Sequence, residues 1–328
     1  MDVICIGELL IDFLPLQSGV SFGQVSEFRR VPGGAPANVA VGTAKLELES
    51  AFIGRVGDDR FGRYLASVLE NNKVDISQLQ YDESARTTLA FISLPTPNTR
   101  EFQFYRDPGA DMNLDHREFD RRFLQDTGIC HFGSITLTGE PGRTSTYEAV
   151  ETARDAGALI SFDPNWRPML WPSRERAKEV ITAAIPLAHV VKISHEELGL
   201  ISGTTDIEKG SEKILEMGPA ICLVTMGEKG CYFLTRDSFG YVPAFRVDTV
   251  DATGCGDSFV SGVLCSIAKN GIENLTANRL QLAEALRFAS AAAALTATGK
   301  GVIPSLPVKD EVDKCLLKKQ QDNKNMEG

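Results

Sequence analysis

Ala158-Leu159-Ile160, Val190-Val191 and Ile221-Cys222-Leu223-Val224 are three short apolar runs, separated by Ser173 to Ala188 and by roughly Asp206 to Met217. The runs are short and almost wholly apolar, the pattern of strands covered on both faces. The two longer segments between them alternate apolar and charged residues at helical spacing. Strand, helix, strand, helix, strand in that order predicts parallel strands joined by crossover helices. The rhythm continues toward the N-terminus. Val3 to Ile6, Ala51-Phe52-Ile53 and Ile129-Cys130-His131-Phe132 read as further buried strands. Phe61 to Asn72 reads as a helix with Phe61, Tyr64, Leu65, Val68 and Leu69 on one face. The expected fold is α/β: a doubly wound, mainly parallel central sheet with helices on both faces.

Two segments, 12–32 and 88–106, break the rhythm with short alternating strands and no helix. In the second, Leu89 to Leu94 runs up, Pro95 to Thr99 turns, and Glu101 to Arg106 returns, a hairpin pattern. Two readings stand: a small separate β-sheet that acts as a lid, or a meander that extends the core. The first divides the chain into a main domain (1–11, 33–87 and 107–308), the lid and a polar tail, 309–328.

The 328 residues carry a net charge of −10. A nucleic-acid partner needs a positive surface, so none is expected. Seven cysteines without a Cys-x-x-Cys pair read as free thiols of a reducing compartment. No apolar run approaches the ~20 residues of a membrane span, and the start lacks the basic region of a signal peptide. A cytoplasmic protein without membrane attachment is the expectation.

In an open parallel sheet, ligands bind beyond the carboxyl ends of the strands. Glu8, Asp12, Asp163 to Arg167, Lys192 to Glu197 and Thr225 to Gly230 fall there. The densest chemistry lies in Asp251-Ala252-Thr253-Gly254-Cys255-Gly256-Asp257, followed by a helical face of Phe259, Val260, Val263, Leu264 and Ile267 that closes at Asn270-Gly271. Gly254-Cys255-Gly256 then sits at a helix N-terminus, where amides lack intrahelical partners and the dipole is positive. Glycines let an anion approach the backbone. Asp257 in the first turn either stabilises the helix or takes a proton from a hydroxyl that attacks a phosphoryl group held on those amides. No Gly-Lys-Ser/Thr of a P-loop accompanies it.

The stretch Asp251 to Phe259 resembles the C-terminal signature of the ribokinase-like (phosphofructokinase-B) sugar kinases. Gly33-Gly34-Ala35-Pro36-Ala37-Asn38, with Gly54 to Asp58 and Phe61-Gly62, resembles their N-terminal one. The resemblance spans nearly the whole chain. It implies ATP as cosubstrate, Mg²⁺, a small-molecule sugar, Asp257 as base, and an anion hole from the backbone of Gly254, Cys255, Gly256 and Asp257. It assigns Asp12, Gly33, Gly34 and Asn38 to the sugar. Arg106 and Arg167 are further candidates there, although Arg106 also reads as a solvated charge and Arg167 as a brace for Asp163. Gly7 to Asp12, Phe104-Tyr105-Arg106, Gly109-Ala110-Asp111 and Asp163 to Arg167 are similar to fructokinases, with kinases of 2-keto-3-deoxygluconate the main alternative. An inactive binding protein of the same fold would have lost the base or the glycines. A nicotinamide-dependent dehydrogenase would carry Gly-x-Gly-x-x-Gly after the first strand, where Gly7-Glu8-Leu9 stands.

The resemblance places the nucleotide along Lys192, Ser194, Thr225, Gly227, Gly230, Gly256 and Ser290. Ser194 stands where relatives have Asn. Glu197 either orders water around Mg²⁺ or starts a helix. Asp251, Thr253, Gly301 and Ser305 match a K⁺ site of relatives, unless Asp251 only caps its turn. Pairing of two lids in a homodimer is expected from the exposed strands.

Overall fold

In the computed structural model, which describes residues 1–96 and 99–327 (backbone alone at 99–100 and 319–327), the apolar runs line up in one large sheet. Its strands are β1 (Val3–Ile6), β4 (Ser50–Gly57), β5 (Val74–Asp75), β6 (Leu79–Asp82), β9 (Ile129–Phe132), β10 (Leu159–Phe162), β11 (Val190–Ser194), β12 (Ile221–Thr225), β13 (Cys231–Thr235) and β14 (Phe239–Val242). Their order is β14-β13-β12-β11-β10-β9-β1-β4-β5, with β6 also paired to β4. Pairing is parallel from β12 through β1 to β5, and antiparallel only in β12-β13-β14. The expected doubly wound α/β sheet is therefore present.

Strand alternation divides the core. Val3 and Cys5 of β1 face one layer with helices Ala35–Lys45, Arg60–Asn71, Cys255–Asn270 and Arg279–Thr296. Ile4 and Ile6 face the other, with helices Gly142–Asp155, Arg174–Ala184 and His195–Ser202. Both layers exclude water from β1, which explains why its four residues are all apolar and unexposed. The segment expected to be helical from Ser173 to Ala188 starts on the Ser173 side-chain cap and turns into a 3-10 segment at Ile185–Leu187. Pro186 removes the amide that another α-helical turn would need.

The two segments that broke the rhythm form a second sheet rather than extending the first. Strands β2 (Leu10–Pro15), β3 (Phe28–Gly33), β7 (Leu89–Thr96) and β8 (Thr99–Tyr105) run in the order β3-β2-β7-β8. The tail is a helix, Lys309–Glu327, whose Val312 is buried beside Leu46, Ala291 and Ala292. Among the described residues no helix is long and apolar enough to cross a membrane.

Helix Cys255–Asn270 packs tightly on helix Arg279–Thr296. A Cβ at Gly262 would lie 2.6 Å from the Ala289 Cα, so the two backbones meet with no side chain between them. Thr296 Oγ1 adds a hydrogen bond to Ser258 Oγ at 2.9 Å. Gly262→Ala should overpack this contact and lower stability by about 1–3 kcal/mol, read as a fall in the denaturant midpoint.

Candidate active site

The chain runs from β1 to β4 on one side and returns to β9 on the other, so the sheet order reverses at β1. That reversal is where an open α/β sheet leaves a crevice at its carboxyl edge. Glu8 follows β1, Asp163 follows β10, and Lys192 and Thr225 lie in the last residues of β11 and β12. The second sheet adds Asp12 from β2.

Asp257 is the third residue of helix Cys255–Asn270, whose N-cap Gly254 has φ 77°. That left-handed conformation favours glycine, and Val302 fills the space a side chain would need. The Ser258 amide makes an intrahelical bond to the Gly254 carbonyl at 2.8 Å. The amides of Gly256 and Asp257 come before it, at the positive end of the dipole. Asp257 itself is buried, and Asn38 Nδ2 donates to its Oδ2 at 2.8 Å. Asn38 comes from helix Ala35–Lys45, so one hydrogen bond ties the two glycine-started helices together. Burial pushes the Asp257 carboxyl up to about 6. The Asn38 bond pulls it down, Asp163 pushes it up, and Lys192 and Arg167 pull it down.

Asp12 lies next to this centre. It is half-buried, and desolvation raises it to about 7, against the pull of Arg167 and with a push from Asp257. Gly33 is required here, since any Cβ at that position would collide with the Asp12 carboxylate. Gly34 has φ 110° and lies against the Glu8 carbonyl. Asp12, Gly33, Gly34, Asn38, Arg167 and Asp257 thus lie together. Asn38 Oδ1 is buried with no protein partner, an acceptor left over for a ligand hydroxyl.

Other expected residues stand differently. Arg167 does not brace Asp163; Lys192 does, Nζ to Oδ2 at 2.9 Å, while Arg167 bonds the carbonyls of Asn165 and Trp166. Lys192 stays charged because Asp163, Glu197 and Asp257 outweigh the burial that opposes it. Its Nζ lies 3.1 Å from where a Cβ of Gly256 would be, beside the first turn of helix Cys255–Asn270. Arg106 is not a solvated charge. Its side chain is 4% exposed and gives Nε to Asp111, Nη1 to Thr138 and Nη2 to the Ile135 carbonyl.

Further along the carboxyl edge, β12 and β13 form the expected hairpin, with Gly227 (φ 58°) and Gly230 (φ 98°) in its turn. Thr225 Oγ1 donates to the Ile193 carbonyl at 3.3 Å. Ser290 is buried in helix Arg279–Thr296. Ser194 and Glu197 form a capping box: Glu197 Oε2 accepts from Ser194 N at 2.7 Å, and Oε1 from Trp166 N at 2.6 Å. Asp251 Oδ1 accepts from the Thr253 amide and hydroxyl at 3.0 and 2.6 Å. Gly299 lies against Ser305 and Gly254 against Val302, so the loop after Thr298 abuts the turn at Asp251. Among the described residues no three His, Cys, Asp or Glu side chains cluster as a metal site.

This geometry joins comparisons with known proteins. The sequence matches the pfkB family carbohydrate kinase pattern over residues 1–309. The chain belongs to that family. As a pfkB-family carbohydrate kinase it is 44% identical over 315 residues to fructokinase-1 of Oryza sativa subsp. japonica, which covers 96% of this chain and 97% of the relative. Its fold matches fructokinase with bound ATP from Xylella fastidiosa at a TM-score of 0.89, with 33% identity and 97% and 99% of the two chains covered. It matches fructokinase from Vibrio cholerae O395, in a fructose-, ADP- and potassium-bound form, at a TM-score of 0.87, with 34% identity and 96% and 98% covered.

The sequence reading placed Glu8 at the carboxyl edge of the sheet, two residues after β1, but gave it no specific role. Glu8 is 1% exposed, accepts from the Ala35 amide at 2.8 Å through Oε1, and leaves Oε2 unpartnered. Burial raises it to about 7.

Glu8, Asp12 and Asp257 share one consequence for stability. Each has a folded pKa above its unfolded value, so the folded protein binds more protons than the unfolded chain between about pH 4 and 7. Their favourable contribution is complete below the unfolded pKa and is lost as pH rises through the folded pKa. Asp12→Asn, which cannot ionise, should raise the thermal midpoint at pH 8 relative to the parent kinase. The gain should shrink as pH falls through 7 toward 5. A gain of equal size at both pH values would contradict this.

Proposed function

We propose that this kinase transfers the γ-phosphoryl group of ATP to the 6-hydroxyl of D-fructose, giving fructose 6-phosphate and ADP. The observation that carries the reading is a buried carboxylate of raised pKa, Asp257, held by Asn38 beside the amides of a helix N-terminus. In relatives of the same fold, fructose, ADP and potassium or calcium are bound.

The sugar lies between β1 and the second sheet. Asp12 accepts from two of its hydroxyls, Gly33 and Gly34 offer backbone, Asn38 Oδ1 takes a further hydroxyl, and Arg167 donates. Asp257 accepts the 6-hydroxyl proton. The oxygen so exposed forms a bond to the γ-phosphorus while the bond to the bridging oxygen of ADP breaks. Charge on the transferring group is received by the backbone from Gly254 to Asp257 and by Lys192. A base with pKa near 6 is mostly ionised at neutral pH yet more basic than an exposed carboxylate.

The nucleotide runs along Ser194, Thr225, Gly227, Gly230 and Gly256, with Ser290 near the base. Mg²⁺ bound with the nucleotide neutralises phosphate charge. Both oxygens of Glu197 already accept an amide each, so their remaining lone pairs suit an ordering of water around that ion rather than direct ligation. Asp251, Thr253, Gly301 and Ser305 would hold K⁺ through oxygen donors, and the abutting loops support that grouping. The cytoplasm, where ATP and free thiols coexist, is the compartment we infer.

We also infer that the second sheet acts as a lid over the site and that two such lids pair in a homodimer. Phe13 stacks on Phe91 at 4.5 Å on a face that continues to Tyr105, which is 63% exposed. Sedimentation at micromolar concentration should give twice the chain mass, and a monomer would refute this pairing.

Purified protein should release ADP with fructose, ATP and Mg²⁺, and prefer fructose to ribose, adenosine and 2-keto-3-deoxygluconate. Asp257→Asn should lower kcat by roughly 10²–10⁴ with fructose binding largely kept. In the parent, kcat/KM should rise with pH through about 6 as Asp257 loses its proton. Full turnover in the variant removes Asp257 as base, and preference for another sugar removes fructose.

A further inference from the structure

We propose that Asp111 sets the choice between neutral and anionic sugars by holding the Arg106 guanidinium in an internal ion pair. The proposal rests on the sugar-kinase reading above and takes the cavity beside Arg106 as a continuation of the sugar site, which it adjoins where the Arg167 guanidinium lies 5.7 Å from the Phe102 ring.

Arg106 ends the second-sheet hairpin and lines a cavity of about 540 Å³ with Phe102, Phe104, Thr138, Met169 and Trp171. An arginine on such a wall is the natural anchor for a sugar carboxylate, because its fork of five N–H groups matches two oxygens at once. Here three of those groups are committed, to Asp111, Thr138 and the Ile135 carbonyl. The Asp111 carboxylate lies 2.7 Å away, and both side chains are nearly inaccessible, at 4% and 1%. The positive charge is therefore cancelled inside the wall before a ligand arrives.

Asp111 is itself fixed. Its other oxygen accepts from the Thr88 hydroxyl, and Gly109 passes so near Thr88 and Asp111 that no side chain fits there. Glu8, beyond the pair, interacts with both charges and keeps an unpartnered carboxyl oxygen. With Glu8 ionised, this corner carries two carboxylates against one guanidinium. Next to the Phe102 ring, Arg167 acts by its charge on two more carboxyl groups, Asp12 and Asp257. A neutral sugar meets hydrogen-bonding groups without charge repulsion. A sugar acid meets a guanidinium already neutralised by Asp111 and, as these carboxyl groups ionise, a growing excess of negative charge, which disfavours it.

Asp111→Asn keeps the shape and removes the neutralising charge. Relative to fructose, kcat/KM for 2-keto-3-deoxygluconate should rise about 10- to 100-fold, the range of one charge-assisted hydrogen bond. The ratio of calorimetric Kd values should move in the same direction. Adding Arg106→Gln to Asp111→Asn should return the ratio to its starting value, which a merely structural role for Asp111 would not predict. An unchanged ratio in a folded Asp111→Asn protein overturns the proposal. So does a gain that survives in the double variant. Should Asp111→Asn fail to fold, Glu8→Gln removes one carboxylate and leaves the ion pair intact. It should shift the ratio the same way by about 3-fold, taken as a partial share of that same charge effect, and no shift there also overturns it. Parent protein that already prefers the sugar acid, seen before any variant is made, defeats the fructose reading and this proposal together.

Discussion

Asp257 and Asn38 share a hydrogen bond between two helices that each begin at a glycine, and the cleft is organised around it. The bond fixes the start of helix Cys255–Asn270 against the start of helix Ala35–Lys45. It joins residues 219 positions apart in sequence, so it is a contact of the tertiary fold and not of any local segment. The amides that can receive a phosphoryl group and the glycine turn that can receive a sugar are thereby held in one frame. A carboxylate buried there without that donor would be costlier to ionise.

The price of this arrangement is electrostatic strain. Glu8, Asp12 and Asp257 all sit above their ordinary pKa values, and desolvation is the leading cause in each. A chain selected for stability alone would not gather three such groups at one sheet edge. Lys192 and Arg167 offset part of the repulsion, and Asp163 holds Lys192 in place. Opposed contributions of this kind mark sites built for a reaction rather than for rigidity.

The two arginines of the sugar side show how much their partners matter. Both lie on loops or strand ends facing the cleft. Arg167 bonds only to nearby carbonyls and acts on Asp12 and Asp257 through its charge. Arg106 is paired with a buried aspartate five residues further along. Residue type alone would have treated them as equals.

The strands, most helices and the glycine turn that starts helix Cys255–Asn270 were legible in the sequence because each depends on local pattern: apolar runs, helical spacing, and glycines before Asp257. The two paired signatures also pointed to Asp12, Gly33, Gly34 and Asn38. Other features were decided only by the tertiary structure, because they rest on contacts between distant segments. Segments 12–32 and 88–106 looked alike whether they extended the core or formed a sheet of their own; the parallel pairing of β2 with β7 chose the second. Asp163 found Lys192 of β11 rather than Arg167, and the Arg106–Asp111 pair, though only five residues apart, was fixed by Thr88, Thr138 and the Ile135 carbonyl from other segments. Glu8 gained its meaning only when two layers of helices closed over β1, since desolvation is a property of the assembled fold and not of the residue.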